Sequence, residues 1–138
     1  MNLGCIQDFN RLVGRDLVYK SGFLRTANIR LSGTDYRSNL PIDYEVKSSI
    51  NKILKNDDKE DIALDLMLYI MRSQLFFDGN KRTAMLVANK ILIENGLGIF
   101  AVRQQNMNEF FTKLVKFYES GNSDEIKLFC KKECVETM

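Results

Sequence analysis

Apolar residues recur at the spacing of an α-helix over most of this chain. Such a stripe occurs in five segments, at about 5–19, 43–55, 59–73, 106–119 and 123–134. A further helix is predicted to run from Lys81 to Asn95. The segment 59–73 is apolar over most of its circumference, which predicts a buried core helix. The pattern therefore predicts a mostly α-helical bundle.

Short polar breaks separate these segments. Asn56-Asp57-Asp58 supplies a turn and an N-cap, Asn95-Gly96 is typical of a helix C-cap, and Gly121-Asn122 divides the last two helices. Ile99–Val102 is predicted to be extended. Because the 138 residues show no repeat, linker or low-complexity tract, a single domain spanning 1–138 is expected.

Residues from about 21 to 36 have a different pattern. Apolar and polar positions alternate imperfectly from Phe23 to Leu31, and the run closes on the turn-forming residues Ser32-Gly33-Thr34-Asp35. This pattern predicts a short β-hairpin or an extended flap.

Composition excludes several classes of function. Twenty basic and eighteen acidic residues give a net charge of +2, and no basic block indicates a nucleic-acid partner. No apolar run reaches the roughly 20 residues that cross a membrane. Cys130 and Cys134 stand one helical turn apart, but three cysteines without any histidine are a poor set of zinc ligands. The odd number of cysteines fits free thiols in a reducing cytoplasm.

The segment 74–82 carries the candidate chemistry. Gly79-Asn80 stands directly before a helix, so free backbone N–H groups and the positive end of the helix dipole converge there. Lys81 and Arg82 add cationic donors, and Asp78 offers an oxygen to a divalent metal. One interpretation is a binding site for a Mg-bound polyphosphate. The alternative is an Asp/Asn helix cap beside two solvated basic residues.

This loop resembles the signature of the Fic/Doc (Fido) family, His-Pro-Phe-x-Asp/Glu-Gly/Ala-Asn-Gly/Lys-Arg. Two positions depart from it, because Gln74 stands at the place of the catalytic His and Leu75 at the place of Pro. Met85 stands where adenylylating members carry a second Arg. The remaining positions match, namely Phe76, Asp78, Gly79, Asn80, Lys81 and Arg82.

The resemblance extends to the flap and covers roughly residues 5–134. The flap carries the family's Gly-x-x-Arg start and Gly-Thr-x-Tyr end, at Gly22 and Gly33 respectively. The resemblance implies a Fido-type helical bundle with a small β-hairpin flap, on which a target protein docks as an added strand. The flap residues expected to dock it are Thr26, Asn28, Ile29 and Arg30.

The resemblance also implies an activity, the transfer of AMP or phosphate from ATP or another nucleoside triphosphate to a protein hydroxyl. Asp78 would hold Mg²⁺, and Gly79, Asn80, Lys81 and Arg82 would contact the phosphates. Gln74 would occupy the catalytic position, where an amide cannot usefully accept a proton, and loss of a general base costs about 10²- to 10⁴-fold in rate.

Three hypotheses remain open from the sequence. The chain is an impaired adenylyltransferase- or kinase-like enzyme, a non-catalytic pseudoenzyme that binds nucleotide, or a toxin-like module that binds a protein partner. The family's inhibitory motif, Ser/Thr-x-x-x-Glu-Gly/Asn, does not occur in the chain. Either an inhibitory partner acts in trans, as in toxin–antitoxin pairs, or a weakened site needs no inhibitor.

Overall fold

Six α-helices make up most of the computed structural model, which describes residues 1–14, 21–31 and 33–137. Each predicted helix is present, and those predicted at 43–55 and 59–73 end within one residue of their observed bounds. The mostly α-helical prediction is therefore confirmed. The helices are α1 Leu3–Gly14, α2 Asp43–Leu54, α3 Lys59–Ser73, α4 Asn80–Glu94, α5 Met107–Ser120 and α6 Asp124–Phe129.

Helix α3 lies at the centre of the core. Eight of its residues are buried, and it packs most extensively against α4, as its nearly continuous apolar surface predicted. Asp58 caps its N-terminus, accepting a 3.1 Å hydrogen bond from the N–H of Asp61. Local sequence signals thus fix the start of the helix that ends at the candidate loop.

Helix α4 also has the predicted ends. It begins at Asn80, and the N–H of Leu97 donates to the carbonyl of Leu92 at 2.9 Å beyond its last turn. Gly96 adopts φ 65° there, which a residue without Cβ accommodates.

The apolar face of helix α1 differs from the predicted one. The helical spacing of Ile6, Phe9, Leu12, Val13 and Leu17 predicts that Leu12 lies on that face, but its side chain is 59% exposed, while Asn10 is buried. The polar Asn10 therefore occupies a core-facing position on α1. The predicted extension of this helix to residue 19, including Leu17, lies outside the described residues.

A two-stranded antiparallel sheet joins the end of the chain to the segment after α4. Strand β1, Ile99–Phe100, pairs with β2, Val135–Glu136, and a π-helical turn over Cys130–Cys134 links α6 to β2. The extended segment predicted at 99–102 is confirmed in part by β1. The second strand was not predicted, because a strand of two residues is too short to show an alternation of apolar and polar positions.

The predicted flap is extended, but its hairpin is not formed. Within the described part of 21–36, no residue belongs to a strand. The N–H of Arg25 donates to the carbonyl of Leu75 at 2.9 Å, and the Thr34 hydroxyl donates to Oε1 of Glu119 at 3.0 Å. These two contacts join opposite ends of the flap to the helical body. They replace the cross-strand hydrogen bonds that a hairpin would supply.

None of the helices in the described residues is both long and apolar enough to cross a membrane.

Ion pairs join helices α3 and α6. Lys127 pairs with Asp65 at 2.9 Å and with Asp61 at 3.2 Å. Lys131 also pairs with Asp61, at 2.5 Å.

Candidate functional site

The loop between α3 and α4 is held by the side chain of Asn80, the first residue of α4. The Oδ1 atom of Asn80 accepts from the N–H of Phe76 at 3.0 Å, and its Nδ2 donates to the Phe76 carbonyl at 2.9 Å. The same Nδ2 lies 3.2 Å from Oε1 of Gln74. The Asn80 side chain, predicted to contact phosphate, is therefore buried within the loop.

Gln74 stands at the turn out of α3 with φ 48°, in the left-handed region. Its side chain is buried, its Nε2 donates to the Met71 carbonyl, and its Oε1 accepts from Asn80. Both ends of the carboxamide are thus occupied by partners within the protein. This arrangement supports the loop and supplies no proton acceptor.

The start of α4 presents backbone donors. Gly79 adopts φ 75°, and the first hydrogen bond of the helix runs from the N–H of Thr83 to the Gly79 carbonyl at 2.9 Å. The preceding N–H groups of the first turn have no acceptor inside the helix. A Cβ on Gly79 would lie 2.8 Å from Cγ1 of Val13, so glycine is required by conformation and by space.

Charged side chains flank these donors. Asp78, two residues before α4, and Arg82, in the first turn of α4, are both exposed. Lys81 is half-buried, and its Nζ lies 4.6 Å from the ring centroid of Phe111, within range of a cation–π contact. Burial lowers the pKa of Lys81 from its ordinary value.

Residues of the loop and the flap line an open cavity of about 360 Å³. Thr26 and Asn28 are exposed and are not among the residues lining the cavity. The lining residues are Ile29, Arg30, Leu31, Gln74 and Phe77 to Arg82.

Arg25 joins the flap to the end of α3. Its side chain is 2% exposed, and its Nε donates to the Gln74 carbonyl. Other acceptors are the carbonyls of Ala27 at 3.1 Å and Asn39 at 2.7 Å. A cation at the negative end of the α3 dipole is stabilised there. The Gly-x-x-Arg spacing marked Arg25 in the sequence but did not indicate this role.

Asn10 is a second residue that sequence reasoning missed. Its Oδ1 accepts from the N–H of Gly22 at 2.7 Å, and its Nδ2 lies 2.9 Å from the Asp78 carbonyl and 3.2 Å from Oγ1 of Thr83. The available signal was a polar residue four positions after Ile6 on the apolar stripe of the first helix.

The donor set suits a magnesium-bound phosphate better than a metal held by protein alone. No group of three or more His, Cys, Asp or Glu side chains able to hold a metal occurs among the described residues. Mg²⁺ commonly takes one or two carboxylates and completes its shell with phosphate oxygens and water. Asp78, exposed beside the donors of α4, fits that pattern.

Comparison with known proteins gives the family. Residues 4–92 match the Fic/DOC family, and no curated protein matches the chain. A structure of Fic-1 from C. elegans superposes with a TM-score of 0.73 at 19% identity, covering 95% of this chain and 39% of that one. The BepC protein, a VirB-translocated effector from Bartonella tribocorum with bound AMPPNP, gives a TM-score of 0.72 at 14% identity, covering 99% and 75% respectively.

The present chain thus spans well under half of the Fic-1 structure that it resembles. TM-scores above 0.7 show that both structures share the fold of this chain, although their identities to it lie below one fifth. The family match extends from the first helix through the candidate loop and most of α4, and so includes the flap and every residue that lines the cavity. This chain therefore belongs to the Fic/DOC family.

Proposed function

We propose that this chain binds the phosphates of a magnesium nucleotide, ATP or another nucleoside triphosphate, in the cavity between the loop and the flap. The observation that carries the proposal is the arrangement around that cavity. The free N–H groups of α4, the Asp78 carboxylate and the Arg82 guanidinium line the same space. A helix N-terminus flanked by cations favours an anion. The solved BepC structure with AMPPNP adds support from a protein of the same fold.

Each group has a distinct role in this proposal. The backbone N–H groups from Gly79 to Arg82 donate to phosphate oxygens, and the Arg82 guanidinium adds charge-assisted hydrogen bonds. Asp78 would hold Mg²⁺, which neutralises phosphate charge when bound. Lys81 contributes a positive charge at the cavity wall while its ammonium contacts Phe111. Asn80 supports the loop from within.

Transfer of AMP or phosphate to a protein hydroxyl is impaired in this proposal. Gln74 stands where a general base is expected, and its carboxamide is occupied by Met71 and Asn80. It cannot remove a proton from an acceptor hydroxyl. Positioning and charge neutralisation remain, and these account for much of phosphoryl-type catalysis. The inferred protein is a nucleotide binder with residual transferase activity at most.

The flap supplies the proposed protein-binding edge. Thr26, Asn28 and Arg30 are exposed along an extended segment whose base is joined to the loop by Arg25. An extended peptide can add to such a segment through main-chain hydrogen bonds. A target segment on this edge would lie beside the nucleotide cavity, since Ile29 to Leu31 line it.

Calorimetry with Mg-ATP and Mg-GTP tests nucleotide binding. Arg82→Ala should weaken the affinity by about 10- to 150-fold, because a hydrogen bond to a charged group contributes about 1.5–3 kcal/mol. Arg103→Ala is the matched control, since Arg103 is an exposed arginine paired with Glu136 at 3.0 Å on the C-terminal sheet. If the unmodified protein does not bind nucleotide at millimolar concentration, the proposal is wrong and the loop is only a structural helix cap.

A labelled-nucleotide transfer assay separates impaired enzyme from pseudoenzyme. Gln74→His restores an imidazole at the position of the family's base, and labelling of the protein itself or of lysate proteins should rise by about 10²- to 10⁴-fold. If Gln74→His binds nucleotide and transfers nothing, the chain is a binding module, and the defect extends to Met85 or to the cavity shape.

A further inference from the structure

The carboxamide of Asn10 lies where the flap, the loop and α4 meet. It is 2% exposed. Its Oδ1 accepts from the N–H of Gly22 at the start of the flap at 2.7 Å. Its Nδ2 contacts the Asp78 carbonyl at 2.9 Å and the Thr83 hydroxyl at 3.2 Å. All three partners belong to segments that surround the cavity.

Burial of an amide on an apolar helix face is unfavourable unless its donors and acceptor are paired. In Asn10 the acceptor and both donors have partners, so the side chain is held in one orientation. Its position in the core is therefore explained by what it contacts.

The contact with Asp78 has a geometric consequence. The Asp78–Gly79 peptide is planar and trans, so its carbonyl and its N–H point in opposite directions. Because the carbonyl points to Asn10 on α1, the N–H of Gly79 points away from α1. Gly79 lines the cavity, and its Cα lies against α1 so closely that a Cβ would be 3.5 Å from Nδ2 of Asn10.

We propose that Asn10 is a positioning residue of the phosphate-binding site, which orients the Asp78–Gly79 peptide and joins it to the base of the flap. This inference rests on the proposed function for its ligand, and it extends that function to a residue outside the loop. Asn10 touches neither nucleotide nor metal in this arrangement. It acts through the carbonyl of Asp78, the hydroxyl of Thr83 and the N–H of Gly22.

The chain offers a matched control in Asn89. This half-buried amide also bridges backbone groups, accepting from the N–H of Phe100 at 2.6 Å and donating to its carbonyl at 3.2 Å. It joins α4 to β1, and it does not line the cavity. Asn10→Ala and Asn89→Ala each remove a neutral bridging amide, so neither variant changes the charge near the phosphates.

The first measurement is Mg-ATP affinity by calorimetry, well below the unfolding temperature of each variant. Asn10→Ala should weaken binding by about 10- to 100-fold, the usual effect of losing a group that orients a ligand-contacting residue. Asn89→Ala should bind as the unmodified protein does. Unchanged affinity in Asn10→Ala, or an equal loss in both variants, overturns the proposal.

The second measurement needs no ligand. Amide hydrogen exchange at Thr83 reports the first hydrogen bond of α4, from its N–H to the Gly79 carbonyl at 2.9 Å. Exchange at Thr83 should be faster in Asn10→Ala and unchanged in Asn89→Ala. If the unmodified protein binds no Mg-ATP, the proposed function fails, and exchange alone then decides the role of Asn10.

Should Asn10→Ala fail to fold, Asn10→Asp provides the second variant. It keeps the side-chain shape and an acceptor for Gly22, and it removes the donor to the Asp78 carbonyl. Its charge would itself disfavour an anion, so the exchange rate at Thr83 is the measurement to use. Faster exchange supports the positioning role, and an unchanged rate overturns it.

Discussion

Arg25→Met is expected to destabilise the protein more than any surface substitution. The side chain is 2% exposed, and methionine would retain much of its aliphatic volume while removing every donor. The buried guanidinium donates mainly to backbone carbonyls, so its loss leaves those acceptors without a partner. They are the carbonyls of Ala27, Ser38, Asn39, Ser73 and Gln74, with Ser38 Oγ in addition.

The expected magnitude follows from those contacts. Hydrogen bonds to a charged group contribute about 1.5–3 kcal/mol each, and they are not additive. Burial lowers the pKa of Arg25, with nearby Tyr36 opposing that change, so desolvation offsets part of the gain. A net loss of about 3 kcal/mol corresponds to a decrease in Tm of about 10 °C for a chain of this size.

Thermal and urea unfolding, followed by far-ultraviolet circular dichroism, measure this loss. Arg103→Met is the control, because its exposed ion pair with Glu136 contributes at most about 1 kcal/mol. Arg25→Lys should recover only part of the stability, since one ammonium cannot replace the fork of donors. A Tm for Arg25→Met close to that of the control would refute the structural role assigned to Arg25.

Two further predictions concern backbone conformation and pH. Gly79→Ala should lower the free energy of unfolding by about 2–3 kcal/mol, because φ 75° is unfavourable for alanine and the new Cβ would lie 2.8 Å from Val13. Gly96→Ala, where φ is 65° and the space is open, should lower it by only about 1–2 kcal/mol. Urea unfolding measures both. The ammonium of Lys131 lowers the pKa of Asp61 more than burial raises it, so this carboxylate stabilises the fold above about pH 4, and Asp61→Asn should destabilise at neutral pH.

The sign of the pH effect makes the second prediction specific. A depressed folded-state pKa gives stability that is lost as the pH falls through that lowered pKa. The difference in unfolding free energy between the unmodified protein and Asp61→Asn should therefore shrink in acid. A difference that stays constant from pH 7 to below about pH 3 would contradict it. The glycine prediction is contradicted if Gly79→Ala and Gly96→Ala lose the same free energy of unfolding, because α1 would then have moved to make room for the added methyl group.

The family and the arrangement of the loop could be predicted from the sequence because their signals are local. The order Asp78-Gly79-Asn80-Lys81-Arg82 before a helical stripe predicts the helix N-terminus, the glycine turn and the charges, and the structure places all of them around one cavity. Helix bounds followed from caps such as Asp58 for the same reason. Each of these features depends on residues within one or two turns of one another.

Tertiary packing decided the rest. The sequence identified Gln74 as a departure from the family, but only the fold shows its carboxamide held by Met71 and Asn80. A polar residue on the apolar stripe of the first helix was the only local sign of Asn10, and its role could not be predicted because its partners Gly22 and Asp78 lie 12 and 68 positions along the chain.

The flap illustrates the same limit. Its alternation predicted a short β-hairpin or an extended flap and did not decide between them. In the structure Arg25 donates its N–H to Leu75 in the loop and its guanidinium N–H groups to neighbouring carbonyls. Periodicity reports which side of a segment is apolar. It does not report which backbone groups that segment will meet, because hydrogen-bond partners are fixed by the packing of distant elements.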